Sequence, residues 1–186
     1  MKRLGVLVAM LVLITGCSGA NEPLERTMDL RAKLLAGTGC TFRTTVTADY
    51  GDRIHSFSME CQGGGDGQIT FTVTDPEPIR DISGRVSDQG GALTFDDQAV
   101  AFPMLADGQI APVCAPWIFL KTLRSGYVTS CGMTEEMIRV AIDDSYQEDA
   151  LHLEIWLDAE GLPVRSEILY KGQRILSLDI EEFQIL

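Results

Sequence analysis

Five cysteines, two histidines, a run of glycines and a group of carboxylates are the residues of this 186-residue chain whose types could do chemistry. His55 keeps step with Phe57 and Met59, while His152 points away from Leu153. Neither stands beside a plausible nucleophile, so both read as structural or solvated. Gly63-Gly64-Gly65-Asp66-Gly67 has the looseness of a phosphate loop. It lies between two alternating stretches, however, with no helix following to aim backbone N–H groups at an anion, and it reads as a hairpin connection. Asp143, Asp144, Glu148 and Asp149 lack the alternating spacing of a calcium loop and read as a solvated hairpin tip. No nucleophile elbow, zinc-protease helix, Walker loop or dinucleotide fingerprint occurs. The expectation is a protein that is no enzyme and takes no metal and no cofactor.

Cys17 has a different setting from the other cysteines. Lys2 and Arg3 precede an uncharged apolar stretch from Leu4 to Ile14, the build of an export signal. That stretch is too short to span a bilayer, which needs about 20 apolar residues in a helix. It ends in Leu13-Ile14-Thr15-Gly16-Cys17, which resembles the bacterial lipobox. The resemblance implies diacylglycerol transfer to the Cys17 thiol, cleavage after Gly16 and acylation of the new amino group with chains such as palmitate. Residues 1–16 then form the signal peptide, 17–23 a lipidated tether, and 24–186 the domain. Two or three acyl chains hold a protein firmly at a membrane where one does not. The site of work is therefore extracytoplasmic and close to a membrane, with that membrane as a partner. Ser18, rather than an acidic residue, follows Cys17, which in a Gram-negative envelope favours the outer membrane.

Four cysteines remain, and an even number in an exported domain reads as two disulfides. Three pairings are possible. Cys40 and Cys61 flank a hairpin with its turn around Tyr50-Gly51-Asp52, and a register centred there sets them opposite each other and pairs Phe42 with Met59. Cross-strand neighbours about 4.5–5.5 Å apart suit a disulfide. Cys114 and Cys131 pair by elimination. A zinc site is the rival, but no C-x-x-C pair supports it.

The chain carries 15 basic and 27 acidic residues; loss of Lys2 and Arg3 with the signal leaves 13 against 27, a net charge of −14. Such a field repels nucleic acid, which is excluded as a partner.

The elements that must position these residues are written in the periodicity. Residues 23–36 read as a helix with Leu24, Met28, Ala32 and Leu35 on one stripe and Gly37 at its end. Phe42, Thr44, Val46 and Ala48 then alternate with polar residues, as do Phe57, Met59 and Cys61, and Ile69, Phe71 and Val73. Weaker strands follow around 80–87, 92–96 and 98–103. Ile138, Val140 and Ile142, then Leu151 to Leu157, then Val164, Ile168 and Tyr170, then Leu176, Leu178 and Ile180 continue the pattern. One apolar and one polar face per strand means an antiparallel sheet, wet on one side. Residues 116–125, with Pro116 at the start, read as a helix apolar nearly all round and therefore buried. Trp156 falls on a polar face, where an exposed Trp can mark a contact surface, although isolated exposed apolar residues are common.

The order lipobox, helix, strands, apolar helix, strands resembles the LolA/LolB-like lipoprotein-carrier fold. Within it, "VTADYGDRIHSFSMECQGGGDG", "FLKTLRSGYVTSCG" and "LEIWLDAEGLPVRSEILYKGQRILSLDI" resemble small lipoproteins of Firmicutes. The resemblance spans nearly all of residues 24–186. It implies a mainly β (α+β) fold: a curved, antiparallel open half-barrel whose N-terminal and mid-chain helices lie on the concave face. In LolA and LolB that concavity takes up acyl chains, whereas relatives sense envelope stress or support spore germination. The leading expectation is a carrier for a lipid or acyl chain, bound by Phe42, Phe57, Phe71, Trp117, Phe119, Leu120, Leu123, Val140 and Ile155. The alternative is a structural or regulatory envelope lipoprotein with a self-filled core and a protein partner. A cavity under helix 116–125 separates the two.

Overall fold

A computed structural model describes residues 22–51, 53–95, 98–106 and 109–186. The signal, Cys17 and most of the tether lie outside the described residues.

Helix α1 (Glu22–Ala36) opens with Glu22 and Glu25 and ends with Lys33, charges that complement the helix dipole. Gly37 N donates to Lys33 O at 2.9 Å and closes it. Eleven strands form one antiparallel sheet: β1 (Gly39–Asp49), β2 (Ile54–Gly64), β3 (Ile69–Asp75), β4 (Ser83–Ser87), β5 (Gly90–Phe95), β6 (Gln98–Phe102), then β9 (Tyr127–Thr134), β10 (Met137–Asp143), β11 (Leu151–Leu157), β12 (Pro163–Tyr170) and β13 (Gln173–Ile185). A small ribbon, β7 (Leu105–Ala106) with β8 (Gln109–Ile110), leads into α2 (Ala115–Ser125). The sheet order is β6-β5-β4-β3-β2-β1-β13-β12-β11-β10-β9. The last strand thus pairs with the first, and β6 and β9 remain as free edges. The result is the expected open half-barrel with α1 and α2 against its apolar face.

The alternating residues behave as expected. Phe42, Val46, Met59, Phe71, Val140, Ile155 and Leu178 all enter one core, whereas Thr41, Arg43, Glu60 and Thr72 face the other way. At β12 the inward residues are Pro163, Ser166 and Ile168, not Val164, because Trp156 pairs with Arg165 and Leu157 with Pro163, which leaves Val164 as the extra residue of a bulge.

Besides Val164, two larger expectations fail, and one register accounts for the first. The β1–β2 pairing sets Cys40 opposite Gly63, Phe42 opposite Cys61 and Thr44 opposite Met59. The connection is a four-residue loop, with Tyr50 N donating to Arg53 O at 3.0 Å and Gly51 at φ 83°. Two residues of slip leave every side chain on its face, so the hydrophobic pattern cannot detect it. Cys40 and Cys61 become diagonal neighbours, about 7–8 Å apart in Cα. A disulfide closes over at most about 6.8 Å. Cys114 ends a 3-10 turn before α2, while Cys131 on β9 faces Val140 and touches Thr27 Oγ1 of α1 at 3.4 Å. All four cysteines are free, with no pair at disulfide distance.

The second failure is the rotation of α1. The helix buries Pro23, Thr27, Leu30 and Leu34, and leaves Leu24, Met28, Ala32 and Leu35 outside. Arg26 donates to Ala159 O at 2.9 Å, and Arg31 donates to Gly126 O at 2.8 Å. These two guanidinium contacts pin the helix in that orientation.

Candidate functional site

The apolar face is where the sequence places a ligand, so its occupancy decides the reading. Pro116 sits in the first turn of α2, where its missing N–H costs nothing. From there Ala115, Trp117, Ile118, Phe119, Leu120 and Leu123 all turn into the core. Phe119 meets Phe42 edge-on at 5.9 Å and 76°, and Phe183 at 6.4 Å and 86°. Phe183 in turn stacks on Phe42 at 5.5 Å. All nine side chains assigned to a ligand are between 0 and 8 % exposed. They are brought together in one core cluster with the other buried residues of α2.

The glycine run holds this helix in place. Trp117 Nε1 donates to Gly67 O at 2.9 Å, and Arg124 Nη1 donates to Gly64 O at 2.9 Å. A Cβ on Gly63 would lie 2.3 Å from Leu120 Cδ2. The run is a connection, as expected, but also the seat of α2. Phe183 and these glycines are the residues that sequence reasoning missed. The signal was available in part, since a buried Trp N–H must find an acceptor.

Three buried thiols face this core. Burial pushes the Cys40 thiol up to about 11 and the Cys114 thiol to about 12. Burial raises Cys61 further, with Cys40 and Glu60 adding to the effect. All three are protonated at neutral pH and poor nucleophiles. Two hydroxyls, Thr122 Oγ1 on α2 and Ser166 Oγ on the inward side of β12, are buried without a hydrogen-bond partner among the described residues.

A depression of about 740 Å³ is lined mostly by polar-face residues such as Thr41, Arg43, Gln62, Thr70 and Arg85, with Phe42 and Phe71 of the strands also at its wall. Two of its lining residues, Arg43 and Glu182, form an ion pair. Farther along that face Trp156 is half-buried beneath two guanidiniums, Arg139 at 5.9 Å and Arg165 at 5.2 Å from its ring. Arg139 pairs with Glu154, and Glu167 receives Arg165 at 2.5 Å and Arg174 at 3.1 Å. Trp156, which the alternation places on the polar face, is thus partly covered by its neighbours.

The remaining polar candidates are dispersed. His55 is exposed and lies 6.1 Å from the Tyr50 ring. His152 Nδ1 lies 2.6 Å from Asp143 Oδ1. Asp144 Oδ1 accepts from Leu151 N at 2.9 Å, which makes it a turn-closing residue. Among the described residues no three of His, Cys, Asp or Glu stand together as metal ligands, and no helix is long and apolar enough to cross a membrane.

No family model matches the chain, and no curated protein matches it. Solved structures do. An outer membrane lipoprotein-sorting protein domain from Vibrio parahaemolyticus is 8% identical with a TM-score of 0.49, covering 90% of this chain and 93% of its own. A LolA superfamily protein from Nitrosomonas europaea is 8% identical with a TM-score of 0.43, over 88% and 93%. The lipoprotein LppX from Mycobacterium tuberculosis is 13% identical with a TM-score of 0.40, over 87% and 93%. The likeness is one of fold. At such identity it leaves ligand and partner to this chain's own residues.

Proposed function

We propose that the chain is an extracytoplasmic lipoprotein, lipidated at Cys17, whose half-barrel is a non-catalytic interaction module for a protein partner at the membrane surface. The observation that carries the choice over acyl carriage is Phe119. Its ring occupies the middle of the concave face, against Phe42 and Phe183, where an acyl chain would have to lie. Each buried side chain of that size stabilises by about 1.5–3 kcal/mol, so lifting α2 to admit a ligand is costly. The protonated thiols and dispersed histidines support the absence of catalysis. The sequence Leu13 to Cys17 supports the anchor.

The anchor is tested by fractionating cells that express Cys17→Ala. Release of the variant from membranes, with its fold intact, is expected; a variant held as tightly as the parent contradicts the lipoprotein assignment.

One observation favours the second reading, a carrier whose groove opens when α2 moves. Thr122 Oγ1 and Ser166 Oγ are buried unpartnered on the surfaces of α2 and β12 that face the core. Such groups weaken an interface by about 1–3 kcal/mol each. An α2 so seated is the element that would yield to a lipid.

A further inference from the structure

Helix α1 has two apolar faces, and the structure uses only one. Pro23, Thr27, Leu30 and Leu34 are buried, whereas Leu24, Met28 and Leu35 are 43, 49 and 62 % exposed. At 3.6 residues per turn the exposed three fall in an arc of about 40°, centred about 110° around the helix from the buried four. Charged residues flank that arc on the side away from the core. Rotation of the helix cannot hide the arc, because Arg26 and Arg31 are tied to Ala159 O and Gly126 O. Scattered apolar residues on a surface are ordinary, but an aligned stripe on one helix is a contact surface in waiting.

We propose that this stripe lies on the lipid bilayer, with Leu24, Met28 and Leu35 at the boundary between headgroups and acyl chains. The inference rests on the lipidation of Cys17 proposed above. Four residues separate Cys17 from Glu22, the first residue of α1, so the five steps between them reach at most about 18 Å of extended chain. The helix is therefore held within a short distance of the surface in which the acyl chains are buried. Charge points the same way. The mature chain is strongly acidic, yet α1 balances Glu22, Glu25 and Asp29 with Arg26, Arg31 and Lys33. It is a neutral segment of an otherwise repelled protein. The acyl chains supply the anchoring; the stripe fixes which side of the half-barrel faces the membrane.

The test uses the full lipidated protein in phosphatidylethanolamine–phosphatidylglycerol vesicles doped with phosphatidylcholine brominated on its acyl chains. Met28→Trp and Leu35→Trp each place a reporter on the stripe, and Asp29→Trp places one on the charged side. Bromine quenching at least about twofold stronger for the two stripe reporters than for Asp29→Trp is expected. Equal quenching of all three, in protein that floats with the vesicles, overturns the proposal while leaving the anchor intact. Stripe reporters unquenched because a second copy of the chain covers them, seen as a dimer by sedimentation, overturns it as well. Protein that does not float at all removes the anchor and this inference with it.

Discussion

Phe119 of α2 packs edge-on against Phe42 of β1 with ring centroids 5.9 Å apart, and both rings are buried. The helix residue comes from the middle of the chain and the strand residue from its start. The two meet because β13 returns to pair with β1, bringing Phe183 beside both rings. Truncating Phe119 removes the centre of that cluster. Phe119→Ala is expected to cost about 3–5 kcal/mol. Urea unfolding followed by circular dichroism measures it; a loss below about 1 kcal/mol means that α2 does not plug the concave face.

A Cβ at Gly63 has nowhere to go, since Leu120 and the Cys40 sulfur are already there at 2.3 and 3.2 Å. Gly63→Ala should destabilise by about 1–3 kcal/mol through overpacking. Gly132 on β9 is the control: nothing lies within 4 Å of its Cβ position, so Gly132→Ala should stay within about 0.5 kcal/mol of the parent. Equal effects at the two positions would detach the glycine run from the seating of α2.

The thiols make a chemical prediction. Alkylation in denaturant without any reductant should modify Cys40, Cys61, Cys114 and Cys131, all of which are free. In the native protein the buried three should react far more slowly. Intact mass after timed quenching reads both quantities. Full protection of two or four cysteines in denaturant means that disulfides form.

Burial also links these thiols to pH. In the folded chain Cys40 and Cys114 titrate near 11 and 12, and Cys61 is raised beyond them, against about 8.5 for an unfolded thiol. The folded state then keeps protons that the unfolded state releases. Their stabilisation is complete below about pH 8.5 and is lost as pH rises toward the folded values, by up to about 1.4 kcal/mol per pH unit for each thiol. The urea midpoint should fall between pH 7.5 and 10.5, and fall less in Cys40→Ala. An equal fall in parent and variant would show that Cys40 plays no part.

The fold was legible because alternation is local. Phe57, Met59 and Cys61 announce a half-buried strand whatever lies beside it, and an all-round apolar 116–125 announces a buried helix. Register was not legible, because moving Cys61 from opposite Cys40 to opposite Phe42 changes no side chain's face. The disulfide expectation failed with it. Nor was the rotation of α1, since both Leu24–Met28–Leu35 and Leu30–Leu34 are apolar stripes. The choice between them is made by Arg26 and Arg31 reaching backbone oxygens 133 and 95 residues away. The residues expected to bind a ligand are all buried in one core. That Phe119 and Phe183 meet Phe42 there depends on three-dimensional closure, which periodicity does not encode.

The measurement that tests the central claim most directly is titration of the soluble Cys17→Ala protein with a fluorescent fatty acid. A concave face filled by α2 predicts no saturable binding up to the solubility limit of the probe, and the same flat response in Ala115→Trp. Saturable one-to-one binding by the parent that is lost in Ala115→Trp would show that the groove admits an acyl chain, and would contradict a half-barrel filled by its own helix.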